Sequence, residues 1–285
     1  MMRNALVLAG GGVAGIAWET GVLVGLGEVD SDLIEQLRAG TTTLIGTSAG
    51  STVAAQLATG TSLEDLFAAQ LADETSEMHV EIDMQKFAAM LAGVTMEPDS
   101  PEARRRRIGA IALAADTPSV EARRAVIAAR IPNAAWTEHR LLITAVDTAT
   151  GELRVFDRTS GVDLVDAVAA SCAVPGIWPT VSIDGHQYMD GGMRSGANAD
   201  LAAGSERVLI LVPSAEESPF GRAIPDTELE ALASSRVFIV YADPESISAM
   251  GANPLDPASR RPAAIAGRAV GRRIAAEVGR FWREG

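Results

Sequence analysis

Near the N-terminus, a short apolar run, a group of glycines and a segment of small residues follow one another twice. Asn4–Ala9 is the first apolar run, and consecutive glycines separate it from Ala14–Val29, which is predicted to be a helix. Thr42–Gly46 is the second run, and Ser48–Thr59 is the predicted helix after it. A short apolar run bounded by turn signals is typical of a buried strand. The pattern therefore predicts two strand–turn–helix units, the repeating element of a parallel sheet.

The same alternation resumes beyond residue 140. Apolar strand candidates recur there, Val162–Cys172 is a predicted helix, and the tail from Pro257 to Trp282 is predicted to be a terminal helix. Asp184 and Gly185 form a turn pair between two of the strands, which indicates a hairpin. This order predicts an α/β fold with a mostly parallel sheet and helices on both faces. The predicted strands are Leu141–Val146, Glu152–Phe156, Val181–Ile183, Gln187–Met189, Arg207–Val212 and Val237–Tyr241.

The segment between these two halves differs in character. Residues 62–135 carry concentrated charge and weak strand signals, so they are predicted to form a helical insertion or cap within a single domain over residues 1–285. Four consecutive arginines, Arg104–Arg107, precede an apolar stretch there. Such a segment has two interpretations, contact with a lipid surface or a solvated helix end. The acidic balance of the chain favours the second interpretation.

Charge and cysteine content narrow the classes of function. The formal net charge is −13 and the pI is about 4.7, so the chain lacks the cationic balance that nucleic-acid binding requires. Cys172 is the only cysteine and there are three histidines, which argues against disulfides and against a metal site. Neither a signal peptide nor a run of 18 apolar residues is recognisable. Residence in the cytoplasm, with peripheral contact at a membrane left open, is therefore expected.

A nucleophile motif lies at the second strand–helix junction, where Gly46-Thr47-Ser48-Ala49-Gly50 matches G-x-S-x-G. A serine on such a sharp turn is strained, and side chains two residues to either side would clash, so glycines are required there. The helix N-terminus also places N–H groups and a positive dipole near developing negative charge. The motif predicts Ser48 as a nucleophile, with the other four residues forming its turn.

The glycine loop after the first strand has two interpretations. In one, the amides of Gly10, Gly11, Gly12 and Gly15 form an oxyanion hole, because no Cβ prevents close approach of a substrate. In the other, the same run is the G-x-G-x-x-G pattern of dinucleotide-binding proteins. That pattern needs an acidic residue at the end of a second strand about 20 residues further on. Asp30 and Asp32 are the candidates for it, although Gly21–Val29 before them does not form a clear strand pattern.

Two kinds of residue are candidates for the base that activates Ser48. In the common α/β-hydrolase order, a serine is followed by an acid and then by a histidine, and His139 and His186 are both downstream of Ser48. Neither histidine lies in a recognisable motif. Asp190 directly follows the predicted hairpin and precedes two glycines, which indicates another close backbone turn. Asp190 is therefore the preferred candidate.

The three motifs, taken in this order, resemble those of the patatin-like phospholipases. That pattern is a glycine loop in the first strand–helix turn, G-x-S-x-G in the next, and a downstream aspartate with glycines, here Asp190-Gly191-Gly192. Ala170–Pro179 is also similar to the family's segment ahead of the aspartate. The resemblance spans roughly residues 4–203 and is poor in the middle segment. It implies a three-layer α/β/α sandwich.

The resemblance further implies a lipid acyl hydrolase without a cofactor. Ser48 would form an acyl-enzyme with a fatty-acyl ester, as a phospholipase A, lysophospholipase or carboxylesterase does, and Asp190 would act as base. The family commonly has Lys or Arg two residues after the third glycine, and this chain has Ala14 there. Two alternatives stay open: a nucleotide-binding oxidoreductase that uses Gly10–Gly15, and a non-catalytic lipid-binding module. The expected ligand is a lipid or small acyl ester, with transient contact at a membrane surface.

Overall fold

An eight-stranded, mostly parallel sheet forms the centre of the molecule. The structure, a computed structural model, describes residues 4–80, 89, 93–94, 100–218 and 221–284. The strands of the main sheet are β1 (Asn4–Leu8), β2 (Thr42–Thr47), β3 (Leu141–Asp147), β4 (Leu153–Phe156), β5 (Val181–Ile183), β6 (His186–Asp190), β7 (Arg207–Val212) and β10 (Arg236–Tyr241). The order is β10-β7-β1-β2-β3-β6-β5, with β4 also paired to β3. The first five strands of that order are parallel, and β4, β5 and β6 are antiparallel to their neighbours.

Helices surround the sheet and connect its parallel strands. The helices are α1 (Gly12–Val29), α2 (Ser31–Leu37), α3 (Ala49–Ala58), α4 (Leu63–Leu71), α5 (Pro101–Ala114), α6 (Val120–Arg130), α7 (Leu164–Ser171), α8 (Asp226–Ala231), α9 (Pro244–Met250) and α10 (Arg260–Arg283). Short 3-10 turns cover Gly191–Met193, Ala199–Ala202 and Pro257–Ser259, and a small separate sheet pairs β8 (Glu217–Ser218) with β9 (Gly221–Arg222).

The residues of β1 show how one strand serves two hydrophobic layers. Leu6 and Leu8 are fully buried in the larger core cluster, which also contains Trp18 of α1. Ala5 and Val7 belong to a second cluster on the opposite face. Successive side chains of a strand point to opposite faces, so a continuous apolar run is what a strand covered on both sides requires. The three-layer α/β/α fold and its mostly parallel sheet are thereby confirmed.

The first and last helices, α1 and α10, pack so closely that glycines of each helix meet the main chain of the other. A Cβ on Gly21 would overlap the carbonyl oxygen of Ala264, and a Cβ on Gly267 would overlap that of Trp18. By length and composition alone, α1 is apolar enough to cross a membrane, but 72% of it is buried inside the protein. Its apolar character is therefore accounted for by its position in the core.

The predicted strands and helices agree with the structure to within about two residues at most ends. Within residues 62–135, the described residues form α4, α5 and α6, joined in part by an irregular stretch from residue 72 to residue 80. Residues 81–88, 90–92 and 95–99 of the predicted insertion lie outside the described residues. The single-domain division and the insertion as a separate unit stay predictions.

The arginine run on α5 fits neither of its two interpretations completely. Arg105 donates from Nε to the carbonyl oxygen of Gly151, and Arg107 donates from Nη2 to that of Val94 at 2.9 Å. Arg106 is exposed. At least two of the four guanidinium groups therefore hold main-chain carbonyls within the protein. The solvated helix end stays the preferred prediction for this run, with contact with lipid as its alternative.

Candidate active site

Strand register brings the second and third motifs together. On β3, Thr144 is paired with Thr47 of β2, and the next residue, Ala145, is paired with Asp190 of β6. The residue that follows Thr47 therefore emerges beside Asp190. Ser48 and Asp190 are separated by 142 positions in sequence, and neighbouring positions on one strand place them in contact.

Ser48 lies on a sharp turn between β2 and α3. Its backbone has φ 51° and ψ −114°, a region that costs a non-glycine residue about 1–3 kcal/mol. Neighbouring side chains hold this conformation. Ser48 N donates to Oγ of Ser171 at 2.9 Å, and its carbonyl oxygen accepts from Ser51 Oγ at 2.6 Å and from Cys172 Sγ at 3.2 Å.

The glycines that flank Ser48 meet main chain at close range. A Cβ on Gly46 would lie 2.5 Å from Cα of Ser51, and a Cβ on Gly50 would overlap the carbonyl oxygen of Leu8. Real Cβ atoms essentially never come closer than 3.0 Å to another heavy atom. The steric reason for which the sequence motif requires glycine at both positions is therefore present in the fold.

The side chain of Ser48 is hydrogen-bonded to a buried carboxylate. Ser48 Oγ donates to Oδ2 of Asp190 at 2.7 Å, and Oδ1 of Asp190 accepts from the amide of Gly192 at 2.7 Å. Asp190 is 3% exposed. Burial raises the pKa of the Asp190 carboxyl to about 6, against the opposing effect of these two hydrogen bonds and of the positive charge of Arg123.

The Ser48 hydroxyl is hydrogen-bonded to Asp190 and to neither histidine candidate. Nδ1 of His186 is 2.7 Å from Oδ2 of Asp147, at the start of the hairpin strand, and more than half of the His186 side chain is exposed. Asp147 also accepts from the amides of Ala149 and Thr150, so this pair stabilises a turn. The residue placed against the Ser48 hydroxyl is Asp190, as the preferred sequence interpretation has it.

Two of the four predicted oxyanion donors are already hydrogen-bonded within the protein. The amide of Gly10 donates to the carbonyl oxygen of Gly196 at 2.8 Å, and that of Gly15 donates to Gly11 at 2.8 Å. Both amides are therefore occupied, and Gly15 is simply part of the first turn of α1. Among the described residues, the amides of Gly11 and Gly12 have no acceptor. These two N–H groups lie at the N-terminus of α1, where unpaired donors are expected.

The dinucleotide interpretation requires a strand that the structure replaces with a helix. Asp30 follows α1 and caps α2, where it accepts from the amide of Leu33 at 3.0 Å and pairs with Arg283. The second strand of the sheet ends at Thr47, beside Ser48, and not at an acidic residue. In the part of the chain that the structure describes, no cluster of three or more His, Cys, Asp or Glu is placed to hold a metal ion.

Asn198 connects the nucleophile motif with the aspartate motif, and no sequence motif marks it. Its Nδ2 lies 3.0 Å from Oγ1 of Thr47, 2.8 Å from the carbonyl oxygen of Ser195 and 3.3 Å from that of Gly191. Its Oδ1 accepts from Arg194 at 2.8 Å. Asn198 has φ 51°, a left-handed conformation that asparagine tolerates better than most residues. An asparagine downstream of the aspartate motif was the only available signal.

Buried charged side chains of α6 lie close to Ser48. Cζ of Arg123 lies 3.8 Å from the ring centroid of Trp178, and Arg130 forms a two-pronged ion pair with Glu77. Both arginines line the cavity that contains Ser48. That cavity has a volume of about 10 Å³, which is scarcely the space of one water molecule. Neither arginine lies in a recognisable sequence motif.

Comparison with known proteins identifies the family. The model described as "Patatin-like phospholipase" matches residues 6–203. Among solved structures, VipD from Legionella pneumophila is similar at 12% identity and a TM-score of 0.49, over 97% of this chain and 67% of that chain. The type III effector protein ExoU is similar at 17% identity and a TM-score of 0.41, over 97% of this chain and 53% of that chain. The chain thus spans about two thirds of VipD and about half of ExoU. A search of curated proteins found no match.

The matched range contains the glycine loop, Ser48 and Asp190, and it is more than half of the chain. Membership of a phospholipase family supports lipid hydrolase activity. The chain belongs to the patatin-like phospholipase family.

Proposed function

We propose that this protein hydrolyses fatty-acyl esters, with Ser48 as nucleophile and Asp190 as general base. The observation that carries the proposal is the 2.7 Å hydrogen bond from Ser48 Oγ to Asp190 Oδ2, in a chain of a phospholipase family. The geometry meets the first requirement for nucleophilic catalysis, a hydroxyl within hydrogen-bond reach of an oriented base. The amide of Gly192 provides that orientation because it holds the other carboxylate oxygen.

In the acylation step, Ser48 Oγ forms a bond to the ester carbonyl carbon while its proton moves to Oδ2 of Asp190. The carbonyl electron pair moves to oxygen, and the free amides of Gly11 and Gly12 donate to this oxyanion. Collapse of the tetrahedral intermediate breaks the bond to the alcohol, which leaves with the proton from Asp190. The product is an acyl-serine.

Water completes the cycle by the same route. Asp190 accepts a proton from the water that attacks the acyl-serine carbonyl, and it returns that proton to Ser48 Oγ as the fatty acid leaves. A base is most effective when its pKa lies near the working pH, and an ordinary aspartate at about 3.9 is too weak at neutral pH. Burial that raises the pKa of Asp190 to about 6 therefore suits the role.

Ala14 makes the oxyanion depend on main-chain donors within the glycine loop. Ala14 is buried, and its amide donates to the carbonyl oxygen of Pro254 at 2.9 Å. The cation that relatives commonly carry at this position is thus replaced by a methyl group. We propose in addition that the protein binds lipid or small acyl esters. It is expected to reside in the cytoplasm and to make transient contact with a membrane surface.

The test is hydrolysis of p-nitrophenyl esters with short and long acyl chains. Ser48→Ala and Asp190→Asn should each lower kcat/KM by at least about a thousandfold, because both groups act in the same step. Asp184→Asn is the matched control, since it changes the other Asp-Gly pair, in the hairpin turn between β5 and β6. Full activity of Asp190→Asn would remove the dyad from the mechanism.

Labelling by a serine-directed fluorophosphonate separates an enzyme from a lipid-binding module. The wild type should be labelled and Ser48→Ala should not, because only an activated hydroxyl attacks phosphorus. Wild-type protein that binds lipid but resists labelling would identify a non-catalytic module.

A further inference from the structure

A single amide group holds the residues next to the nucleophile and next to the base. Nδ2 of Asn198 donates to Oγ1 of Thr47 at 3.0 Å and to the carbonyl oxygen of Gly191 at 3.3 Å. Thr47 directly precedes Ser48, and Gly191 directly follows Asp190. The Asn198 side chain therefore links the two main-chain segments that carry the reacting groups.

The hydroxyl of Thr47 continues this link across the sheet. Its Oγ1 lies 2.9 Å from Oγ1 of Thr144, the residue with which it is paired on β3. The turn at Gly191 packs on the same Thr144 hydroxyl, which a Cβ on the glycine would overlap. Asn198, Thr47 and Thr144 are all 0% exposed. In a cluster closed to solvent, hydrogen bonds strengthen one another, and the loss of one leaves its partner unpaired.

Charged side chains determine which end of the Asn198 amide faces the nucleophile motif. Oδ1 of Asn198 accepts from Nη1 of Arg194 at 2.8 Å, and because a guanidinium offers only donors, the amide nitrogen must point the other way. Both carboxylate oxygens of Asp200 bind Arg194, at 2.9 and 2.7 Å. Glu228 accepts from the amide of Ala199 at 2.8 Å. The Asn198 amide and the main chain after it are thus both held in place.

The geometry that this cluster fixes is the one on which proton transfer depends. Ser48 follows β2 and Asp190 ends β6, and β3 lies between these two strands in the sheet. The Ser48 hydroxyl and the Asp190 carboxylate are joined across β3 by a hydrogen bond of 2.7 Å. A displacement of about 1 Å between reacting groups can lower a rate about a hundredfold. A contact that joins both segments directly should therefore affect kcat.

We propose that Asn198 is a positioning residue for the Ser48–Asp190 pair, and that Arg194 keeps its amide in the orientation that this role requires. The proposal rests on the esterase function proposed above and adds to it a residue outside the three motifs. Asn198 is fully buried and acts through the neighbours of the reacting residues. Its loss should therefore lower kcat and leave KM nearly unchanged.

Removal of the Thr47 hydroxyl tests the contact without adding charge. Thr47→Val keeps the shape of the side chain and removes the acceptor of Asn198 Nδ2, whereas Thr47→Ser keeps the hydroxyl. With a p-nitrophenyl ester, Thr47→Val should lower kcat at least about tenfold and change KM by less than about twofold. Thr47→Ser should keep kcat within about threefold of wild type. Equal losses in these two variants would overturn the proposal.

The matched control is on the same strand. Thr43 lies four positions before Thr47 on β2, so its side chain points to the same face, and it is 4% exposed. Thr43→Val removes a buried hydroxyl that is not part of the cluster, and kcat should stay at the wild-type value. A loss in Thr43→Val as large as that in Thr47→Val would show a general effect of the substitution and would overturn the positioning role.

Removal of the amide itself provides an independent measurement. Asn198→Gly removes the side chain and retains the backbone conformation, because the φ of 51° at this position is unstrained for glycine. It should lower kcat at least about tenfold, and Thr47→Val in the same chain should add little, since both substitutions remove one contact. Fully additive losses would overturn the shared contact. If Asn198→Gly does not fold by circular dichroism, Arg194→Lys tests the same amide, because lysine lacks the fork that binds Asp200 and Asn198 together.

The pKa of Asp190 gives a readout that needs no turnover. Burial raises this pKa to about 6, and the hydrogen bond from Ser48 keeps it from rising further. If the hydroxyl is displaced in Thr47→Val, the pKa should rise by about half a pH unit or more, as measured by carboxyl carbon NMR with Asp190→Asn for assignment. A higher pKa in a protein that hydrolyses no ester would keep the positioning role and overturn the esterase function. Ester hydrolysis with kcat and pKa both unchanged in Thr47→Val would keep the esterase function and overturn the positioning role.

Discussion

The two sides of the candidate active site are held together by different kinds of interaction. On the strand-end side, which consists of Gly10–Gly12, Gly46–Gly50 and Asp190–Gly192, main-chain contacts position the reacting groups. On the charged cover, which consists of Glu77, Arg123 and Arg130, the two arginines line the cavity that contains Ser48, and Glu77 pairs with Arg130. Main-chain contacts are stiff and short-ranged, whereas charge interactions depend on pH, on salt and on bound ions. Added atoms should therefore lower the free energy of unfolding on the strand-end side, and changes in charge should lower it on the charged cover.

Removing one charge from the cover should have the largest effect on stability. Glu77→Gln leaves Arg130 buried without a counterion, and breaking a buried pair from one side costs about 3–5 kcal/mol. Burial raises the pKa of Glu77, but attraction to Arg130 outweighs it, so the folded-state pKa lies below the ordinary value.

The sign of the pH dependence follows from that depressed pKa. Glu77 stabilises the fold above the carboxyl pKa of the unfolded chain, and this contribution is lost as pH falls through the lower folded-state pKa. Urea unfolding of wild type and Glu77→Gln at several pH values measures the difference, which should shrink toward acid. A difference that is independent of pH would mean that packing, not charge, holds Glu77 in place.

Adding one carbon to the strand-end side should lower the free energy of unfolding nearly as much as Glu77→Gln does. Gly50→Ala would push a methyl group into the carbonyl oxygen of Leu8, where neither main-chain segment can yield easily. We expect the free energy of unfolding to fall by about 3 kcal/mol or more. Gly40→Ala is the matched control, since a Cβ there meets nothing within 4 Å, and it should change stability by less than about 1 kcal/mol. Equal effects of the two substitutions would contradict the stiffness assigned to this side.

Asp190 should show the opposite pH dependence to Glu77. Burial raises its folded-state pKa from 3.8 to about 6, so the native state loses stability as pH rises from about 4 to above 6. Asp190→Asn keeps the shape of the side chain and removes this loss. The variant should be more stable than wild type by about 2–3 kcal/mol at pH 8 and by little at pH 4. A gain of the same size at both pH values would contradict burial as its cause.

The contrast between the two sides also explains what could be predicted from sequence. The glycines at 46 and 50 and the aspartate motif at 190 were identifiable, because a tight turn beside a strand excludes almost every other residue. The strands of the sheet were identifiable because a strand buried on both faces is a continuous apolar run. Steric exclusion leaves a local pattern in the sequence.

Charge pairing leaves no such pattern. Arg130 and Glu77 are 53 positions apart, and the sequence offers 24 basic and 37 acidic residues that could pair in many other ways. Hydrogen bonds that occupy the amides of Gly10 and Gly15 are equally invisible, because the partners come from the tertiary fold or from helix geometry. Asn198 was missed for the same reason, since its contacts join segments that only the sheet brings together.

Ionisation of the buried Asp190 should change kcat/KM about tenfold between pH 5 and pH 7. The Asp190 carboxylate must be ionised to accept the Ser48 proton, and its pKa of about 6 means that roughly 90% is ionised at pH 7 and roughly 10% at pH 5. We expect kcat/KM for a neutral ester to fall by about tenfold between these pH values. The pH profile of the free enzyme measures it. A flat profile from pH 5 to pH 9 would exclude Asp190 as the titrating base.

The smallest effect should come from Arg124, which is adjacent in sequence to the buried Arg123. Arg124 pairs with Asp163 and Asp166, but 44% of its side chain is exposed, so water and salt screen the attraction. Arg124→Gln should lower the free energy of unfolding by less than about 1 kcal/mol, and added salt should reduce the difference further. Arg123, one position earlier, is buried against Trp178. The two residues share a helix and a charge. If Arg124→Gln lowered the free energy of unfolding as much as Arg123→Gln, then position and not burial would set the effect, and the distinction between cover and surface would fail.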